Sequence, residues 1–274
     1  MSINYHKMSS GPKKDFLSTD LRSTIINEEQ AKNLPLGHDV KYNSSGFRCD
    51  EFKTKHDFPH FLFVGCSITF GDAIPVESGW AYITHEYLKN TYGSSGFYNI
   101  SGLGNSIGDC VTNVTKYIDV YGKPDAIFFG VPDPNRLPVD INGKQAVITI
   151  TDKNDNKKLF LSIHEELSLN PLLKISFDYY LLLHFFCKIN NIKLFATQIG
   201  PLYDYDFYNA LSKKFNSFVL TNEDEYLHFL RSTEKGKDQY YLKGSDGMHP
   251  GTGSHLYWSK LFIERIKNEK IFNE

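Results

Sequence analysis

The sequence predicts a three-layer α/β/α sandwich, a flavodoxin-like parallel sheet of five strands with an inserted β-hairpin. Three observations lead there. Two short stretches, Phe61-Leu-Phe-Val64 and Asp125-Ala-Ile-Phe-Phe-Gly130, are almost continuously apolar, as strands buried on both faces of a parallel sheet must be. Stretches with helical apolar spacing alternate with such strands, a rhythm that implies βαβ crossovers and helices on both faces. The chain has 274 residues, 41% of them hydrophobic, which is enough for one sizeable α/β domain.

In chain order, residues 1–40 are polar and aperiodic, with Gly11-Pro12 and Pro35-Leu-Gly37, and read as an N-terminal arm ahead of a domain over 41–274. Tyr42-Asn-Ser-Ser-Gly-Phe-Arg-Cys49 reads as a turn, with Arg48 in a surface ion pair. The first strand, 61–64, exits sharply at Gly65. A helix then opens near Ser78, its predicted N-cap, with Trp80, Ile83, Tyr87 and Leu88 on one face. Residues 96–101 form the second strand, and Ile107, Cys110, Val111, Val114, Ile118 and Tyr121 line the helix after it, stopped by Gly122 and Pro124. The third strand, 125–130, runs into Val131-Pro-Asp-Pro-Asn-Arg136, too rich in proline to continue.

Beyond that loop, residues 145–151 and 158–162 read as the two strands of the hairpin, joined by the polar stretch 152–156. A helix over about 170–190 is apolar nearly all round in its second half, which predicts burial. Residues 193–198 and 217–220 complete the parallel strands, with a helix over about 206–215 between them. The last helix starts near Pro250 and carries Trp258, Leu261, Phe262 and Ile266 on one face.

Composition excludes several classes of function. A formal charge of -2 offers no basic stripe for nucleic acid. The four cysteines, Cys49, Cys66, Cys110 and Cys187, lack the paired spacing of a zinc site or a disulfide framework, so reduced thiols are expected. The first twenty residues show no apolar signal segment. The most lipophilic stretch, 179–187, falls short of the ~20 residues a membrane span needs. A soluble protein, cytoplasmic or virion-associated, is the expectation.

The chemistry concentrates in two segments. Ser67 follows the first strand at its carboxyl end, where open α/β sheets place their ligands. Far downstream, Ser245-Asp-Gly-Met-His-Pro-Gly251 supplies Asp246 and His249 three residues apart. A serine needs a base to take its proton and a third group to orient that base, and these residue types meet the requirement. Either segment alone is an ordinary turn; it is their pairing that points to catalysis. The backbone N–H of Ser67 and that of Gly104, in the turn Ser101-Gly-Leu-Gly-Asn-Ser106, are candidate donors to an oxyanion. Gly102 and Gly104 lack the third glycine of a dinucleotide fingerprint.

Gly65-Cys-Ser67, the glycine turn after Asn99, the loop after the third strand and Asp246-x-x-His249 together resemble, in order and spacing, the four sequence blocks of the SGNH hydrolases, the GDSL family of esterases and lipases. The resemblance covers about residues 40–270. Asn43-x-x-Gly-Phe-Arg48 is also similar to a lead-in found in some members from phage and bacterial surface-polysaccharide contexts. It implies Ser67 as nucleophile, Asp246 and His249 completing the triad, Gly104 in the oxyanion hole, and no cofactor or metal. Two positions depart from the pattern. Cys66 replaces the Asp of Gly-Asp-Ser, and Pro132 stands where the third block carries an oxyanion-donating Asn. Asn105, directly after Gly104, is the favoured substitute donor, and Asn135 the other. The expected activity is a serine esterase acting on a small-molecule or carbohydrate ester, O-acetyl by preference, with Tyr203 and Tyr205 available to stack on a sugar. The alternative is a binding or structural module of a viral or cell-surface assembly that keeps the fold with little or no hydrolysis.

Overall fold

The computed structural model describes residues 42–141, 144–149, 171–199, 205–233, 241–244, 249–269 and 271–272. The predicted arm over 1–40 and the predicted strand over 158–162 lie outside them. The strands are β1 (Phe61–Val64), β2 (Tyr98–Asn99), β3 (Ala126–Val131), β4 (Arg136–Ile141), β5 (Lys144–Thr149), β6 (Lys193–Gln198) and β7 (Phe218–Val219). The helices are α1 (Ser67–Phe70), α2 (Trp80–Tyr92), α3 (Ile107–Tyr121), α4 (Pro171–Ile189), α5 (Tyr205–Lys214), α6 (Glu223–Thr233) and α7 (Thr252–Glu269), with a 3-10 turn over Val76–Ser78.

Five strands form one parallel sheet in the order β2-β1-β3-β6-β7. Successive side chains of a strand point to opposite faces, and this alternation separates two cores. Leu62, Val64, Ile127, Phe129 and Val131 pack with α3, α4 and α5 on one face. Phe61, Phe63, Ala126, Phe128 and Phe195 pack with α2 and α7 on the other. Both faces are covered, so the strands read as unbroken apolar runs. Phe63, Phe128 and Phe195 occupy paired positions on β1, β3 and β6 and stack at 5.2 Å from ring to ring, an aromatic ladder across the centre of the sheet.

The chain steps from β1 out to β2 and returns past β1 to β3, with α2 on one face and α3 on the other. The order of strands therefore reverses beside β1. The crevice at the carboxyl ends of strands around such a switch point is where doubly wound sheets bind ligands.

Several local expectations need correction. The strand 144–149 pairs antiparallel with β4, from Arg136↔Thr149 to Ile141↔Lys144. The proline-rich segment thus resumes as a strand at Arg136. A two-stranded ribbon consists only of edges, where a proline such as Pro138 is tolerated. The N-cap of α2 is Gly79, not Ser78, and the N–H of Trp80 donates instead to Nδ1 of His255 on α7 at 3.1 Å. α7 begins at Thr252 rather than at Pro250. α4 is not buried all round, since Leu182, Phe185 and Ile189 are 56%, 47% and 79% exposed along one stripe. Helix α6 was absent from the expectation, although Asn222 caps it by accepting from the N–H groups of Asp224 and Glu225.

Among the described residues three histidines are buried and neutral. Burial pushes His60 down to about 3, His85 to about 4 and His255 to about 3. Near pH 6.5 and below, the unfolded chain takes up protons at these sites that the folded chain refuses, so stability falls as pH drops from about 6.5 toward 4. Each site adds up to about 1.4 kcal/mol per pH unit to that slope. The urea midpoint should therefore fall clearly between pH 7 and pH 5, and fall less in His85→Phe, which removes one titrating ring from an aromatic setting beside Phe63 and Phe97. Equal slopes in the two proteins would show that His85 carries none of the acid sensitivity.

Candidate active site

β1 must end abruptly for Ser67 to reach the sheet edge, and Gly65 is the residue that permits it. A Cβ at this position would lie 2.0 Å from Thr69 Oγ1 and 2.8 Å from the Gly130 carbonyl oxygen. No other residue fits without moving α1 or β3. The Gly65 carbonyl in turn accepts from Asn105 Nδ2 at 3.2 Å and from the thiol of Cys110 at 3.5 Å. Burial holds that thiol protonated and able to donate. The exit from β1 and the turn entering α3 are thereby tied together.

Ser67 opens the one-turn helix α1, and its Oγ stands 3.0 Å from Nε2 of His249. The chain after α1 turns back through two left-handed residues, Gly71 (φ 78°) and Ala73 (φ 62°). A left-handed alanine is uncommon and needs outside support. Arg48 supplies it: the guanidinium is buried and donates to the Gly71 carbonyl at 2.5 Å and to the Ile74 carbonyl at 3.1 Å. The expected surface ion pair of Arg48 is therefore replaced by an internal clamp. Burial pulls its pKa down, while Tyr42, Asp72 and Glu77 support the charge.

The clamped loop presents Asp72, whose N–H donates to the Ser67 carbonyl at 3.0 Å and whose Oδ2 lies 3.8 Å from His249 Nε2. Ser67, His249 and Asp72 form a triad-like arrangement. Asp72 shares the serine side of the imidazole, so it stands where it can stabilise a proton gained by Nε2. For Nε2 to accept from the serine hydroxyl it must be the bare nitrogen, with the proton on Nδ1.

His249 is set by a second strand-like crossing. The N–H of Gly244 donates to the His249 carbonyl at 2.8 Å, Lys243 bridges to Pro250, and Gly251 and Gly253 donate to the carbonyls of Leu242 and Tyr241. The segment returns on itself and delivers His249 to the carboxyl edge just before α7. The expectation for Asp246 falls on 245–248, outside the described residues. So do Tyr203 and the side chain of Tyr205.

The candidate oxyanion residues divide. Gly104 is left-handed (φ 72°), and a Cβ on it would meet nothing within 4 Å, so its backbone borders open space. Asn105 is fully buried, with Nδ2 directed to the Gly65 carbonyl. Asn135 folds back on Asp133, donating to its Oδ1 through both N and Nδ2. The Pro132 carbonyl accepts from the hydroxyl of Tyr208. Arg136, four residues on, opens β4, and its charge is favoured by Cys66 and Asp133. Among the described residues no group of three or more His, Cys, Asp or Glu side chains could hold a metal ion, and no helix is long and apolar enough to cross a membrane.

Asp72 and the inward role of Arg48 escaped the sequence reading. Asp72 had a signal in Gly71-Asp72, a glycine turn five residues after the serine, whereas nothing local marks the carbonyls that Arg48 meets.

No family model matches the chain, and no curated protein does. Among solved structures it is similar to TesA, with 15% identity, a TM-score of 0.48 and coverage of 76% of this chain and 98% of the other. It is also similar to the psychrotrophic esterase EstA from Pseudoalteromonas sp., with 13% identity, a TM-score of 0.46 and coverage of 76% and 97%. A third is a putative acylhydrolase from Bacteroides fragilis, at 13% identity, TM-score 0.44 and coverage of 90% and 99%.

Replacing Arg48 by Met would leave two buried carbonyls, those of Gly71 and Ile74, without their charged donor. A loss of about 2–3 kcal/mol in urea unfolding is expected. A loss below about 0.5 kcal/mol would mean that the loop holds its left-handed turns unaided.

Proposed function

We propose that this chain is a serine esterase of the SGNH type, with the domain over 41–274 as its catalytic unit and 1–40 as an appended arm. The observation that carries the reading is the 3.0 Å contact between Ser67 Oγ and His249 Nε2 at the carboxyl edge of the sheet, beside the switch point. A catalytic base must lie within about that distance of the proton it takes.

In the proposed mechanism Ser67 Oγ attacks the acyl carbon while its proton passes to His249 Nε2. The C–O bond to the alcohol then breaks, and His249 returns the proton to the leaving oxygen. Water repeats the sequence in reverse roles and releases the acid from the acyl-enzyme. Asp246 is assigned to the Nδ1 side, fixing the tautomer that leaves Nε2 bare, and Asp72 to charge stabilisation on the Nε2 side. The amides of Ser67 and Gly104 are assigned to the oxyanion. Asn105, which directly follows Gly104, stays in the assignment ahead of Asn135.

The substrate class proposed is a small or carbohydrate ester, O-acetyl by preference. It rests on the similarity of the lead-in around Asn43 and Arg48 to that of SGNH proteins from surface-polysaccharide contexts, with Tyr203 and Tyr205 as candidate sugar platforms. A cytoplasmic or virion-associated protein fits the same reading. Pro132 favours the second reading, a binding module with little hydrolysis, because proline offers the oxyanion neither side-chain nor backbone donor.

Hydrolysis of p-nitrophenyl acetate separates the two. The esterase reading expects turnover that drops at least about 10³-fold in Ser67→Ala and in His249→Ala, with unfolding midpoints close to the parent. Asp246→Asn should lose far more activity than Asp72→Asn, for which about tenfold is expected, since only the former sets the tautomer. Turnover no greater than that of Ser67→Ala would leave the binding module standing.

A further inference from the structure

Helix α4 carries two seams. Ser176, Tyr180, Leu183 and Cys187, at intervals of four, three and four residues, are buried and make its inner face. Asp178, Leu182, Phe185 and Ile189 repeat the same intervals two residues further on, about 200° around the helix and so on its outer side. Three of the eight exposed large apolar side chains among the described residues, Leu182, Phe185 and Ile189, fall on this one line. A helix apolar on both sides is ordinarily covered on both. Apolar residues alternating at intervals of three and four are also the pattern by which one helix packs along another.

The charges on the line say what covers it. Asp178 stands exposed at its N-terminal end, in a surface ion pair with Lys174 at 3.7 Å, and Lys188 stands exposed beside Ile189 at its C-terminal end. A two-fold axis perpendicular to the helix between residues 183 and 184 makes the line complementary to itself. Leu182 of one copy then faces Phe185 of the other, and Asp178 faces Ile189 with the Lys188 ammonium alongside. Parallel pairing would instead set Asp178 against Asp178 and Lys188 against Lys188. We propose that the outer face of α4 is the interface of a homodimer, in which two copies of this helix pack antiparallel along Leu182, Phe185 and Ile189. The C-terminal end of α4 leads into the start of β6 and so stands toward the amino edge of the sheet, away from Ser67 at the carboxyl edge. The dimer leaves the candidate active site open, and the proposal is independent of the esterase reading. A single helix pair with its flanks lies near the lower limit of specific interfaces, about 1,200 Å² in total, so dissociation in the micromolar range is expected.

Sedimentation equilibrium of the full-length protein from about 1 to about 200 μM tests it, with a dimer expected at the upper end. Phe185→Glu, which would bring two carboxylates into the middle of the pair, should weaken association at least about 100-fold while the dilute monomer keeps its unfolding midpoint. If Phe185→Glu does not fold, Leu182→Glu decides. Two charge variants read the orientation. Asp178→Lys and Lys188→Asp each place like charges together twice per dimer and should weaken association about tenfold, whereas the two combined should return to within about threefold of the parent. The inference is overturned by a parent that stays monomeric throughout, by a dimer indifferent to Phe185→Glu, by a combined charge variant no tighter than the single ones, or by failure of both glutamate variants to fold. Loss of stability in the dilute Phe185→Glu monomer also overturns it, because another segment of the same chain would then be what covers the line.

Discussion

The carbonyl of Gly65 and the missing side chain above it hold the site together. Gly65 must be glycine because Thr69 and the Gly130 carbonyl occupy the place of a Cβ. That closeness brings α1 down onto β3. The carbonyl itself collects donors from Asn105 and Cys110, which fasten the β2–α3 turn to the end of β1. Ser67 and Gly104 come from different crossovers on opposite faces of the sheet, and this one peptide keeps them at a common edge. The capping box of α3, in which Ser106 and Asp109 satisfy each other's backbone donors, fixes the direction in which that turn leaves.

Around this anchor the charges are arranged unevenly. Arg48 is spent on main-chain carbonyls, holding a loop with two left-handed residues, and the loop presents Asp72 to His249. Arg48 comes from a segment that looks like a plain turn, and its deciding partners are carbonyls brought near by tertiary structure.

What the sequence disclosed follows from which contacts are local. β1 and β3 were legible because burial on both faces leaves no polar position in them, and β6 because its middle, Leu194-Phe-Ala196, is apolar. Ser67 and His249 were legible because each lies within two residues of a punctuating one, Gly65 in one case and Pro250 in the other. The strand over 136–141 was missed because Val131-Pro-Asp-Pro-Asn-Arg136 reads as a loop, although Asn142-Gly143, a dipeptide suited to a two-residue turn, stands between the strands that pair. The outward stripe of Leu182, Phe185 and Ile189 was not legible, since a helix apolar all round does not say which side meets solvent. Nor were the partners of Arg48, 23 and 26 residues away along the chain, because a backbone carbonyl carries no sequence signature.

The central claim is that Ser67 is an activated nucleophile rather than a turn hydroxyl. Labelling of the full-length protein with a fluorophosphonate, read by intact mass and then by peptide mapping, tests it without knowledge of the substrate. The account predicts a single phosphonyl adduct, located on Ser67 and lost in His249→Ala. No adduct at any pH between 6 and 9, or an adduct on another residue with Ser67 unmodified, would contradict it.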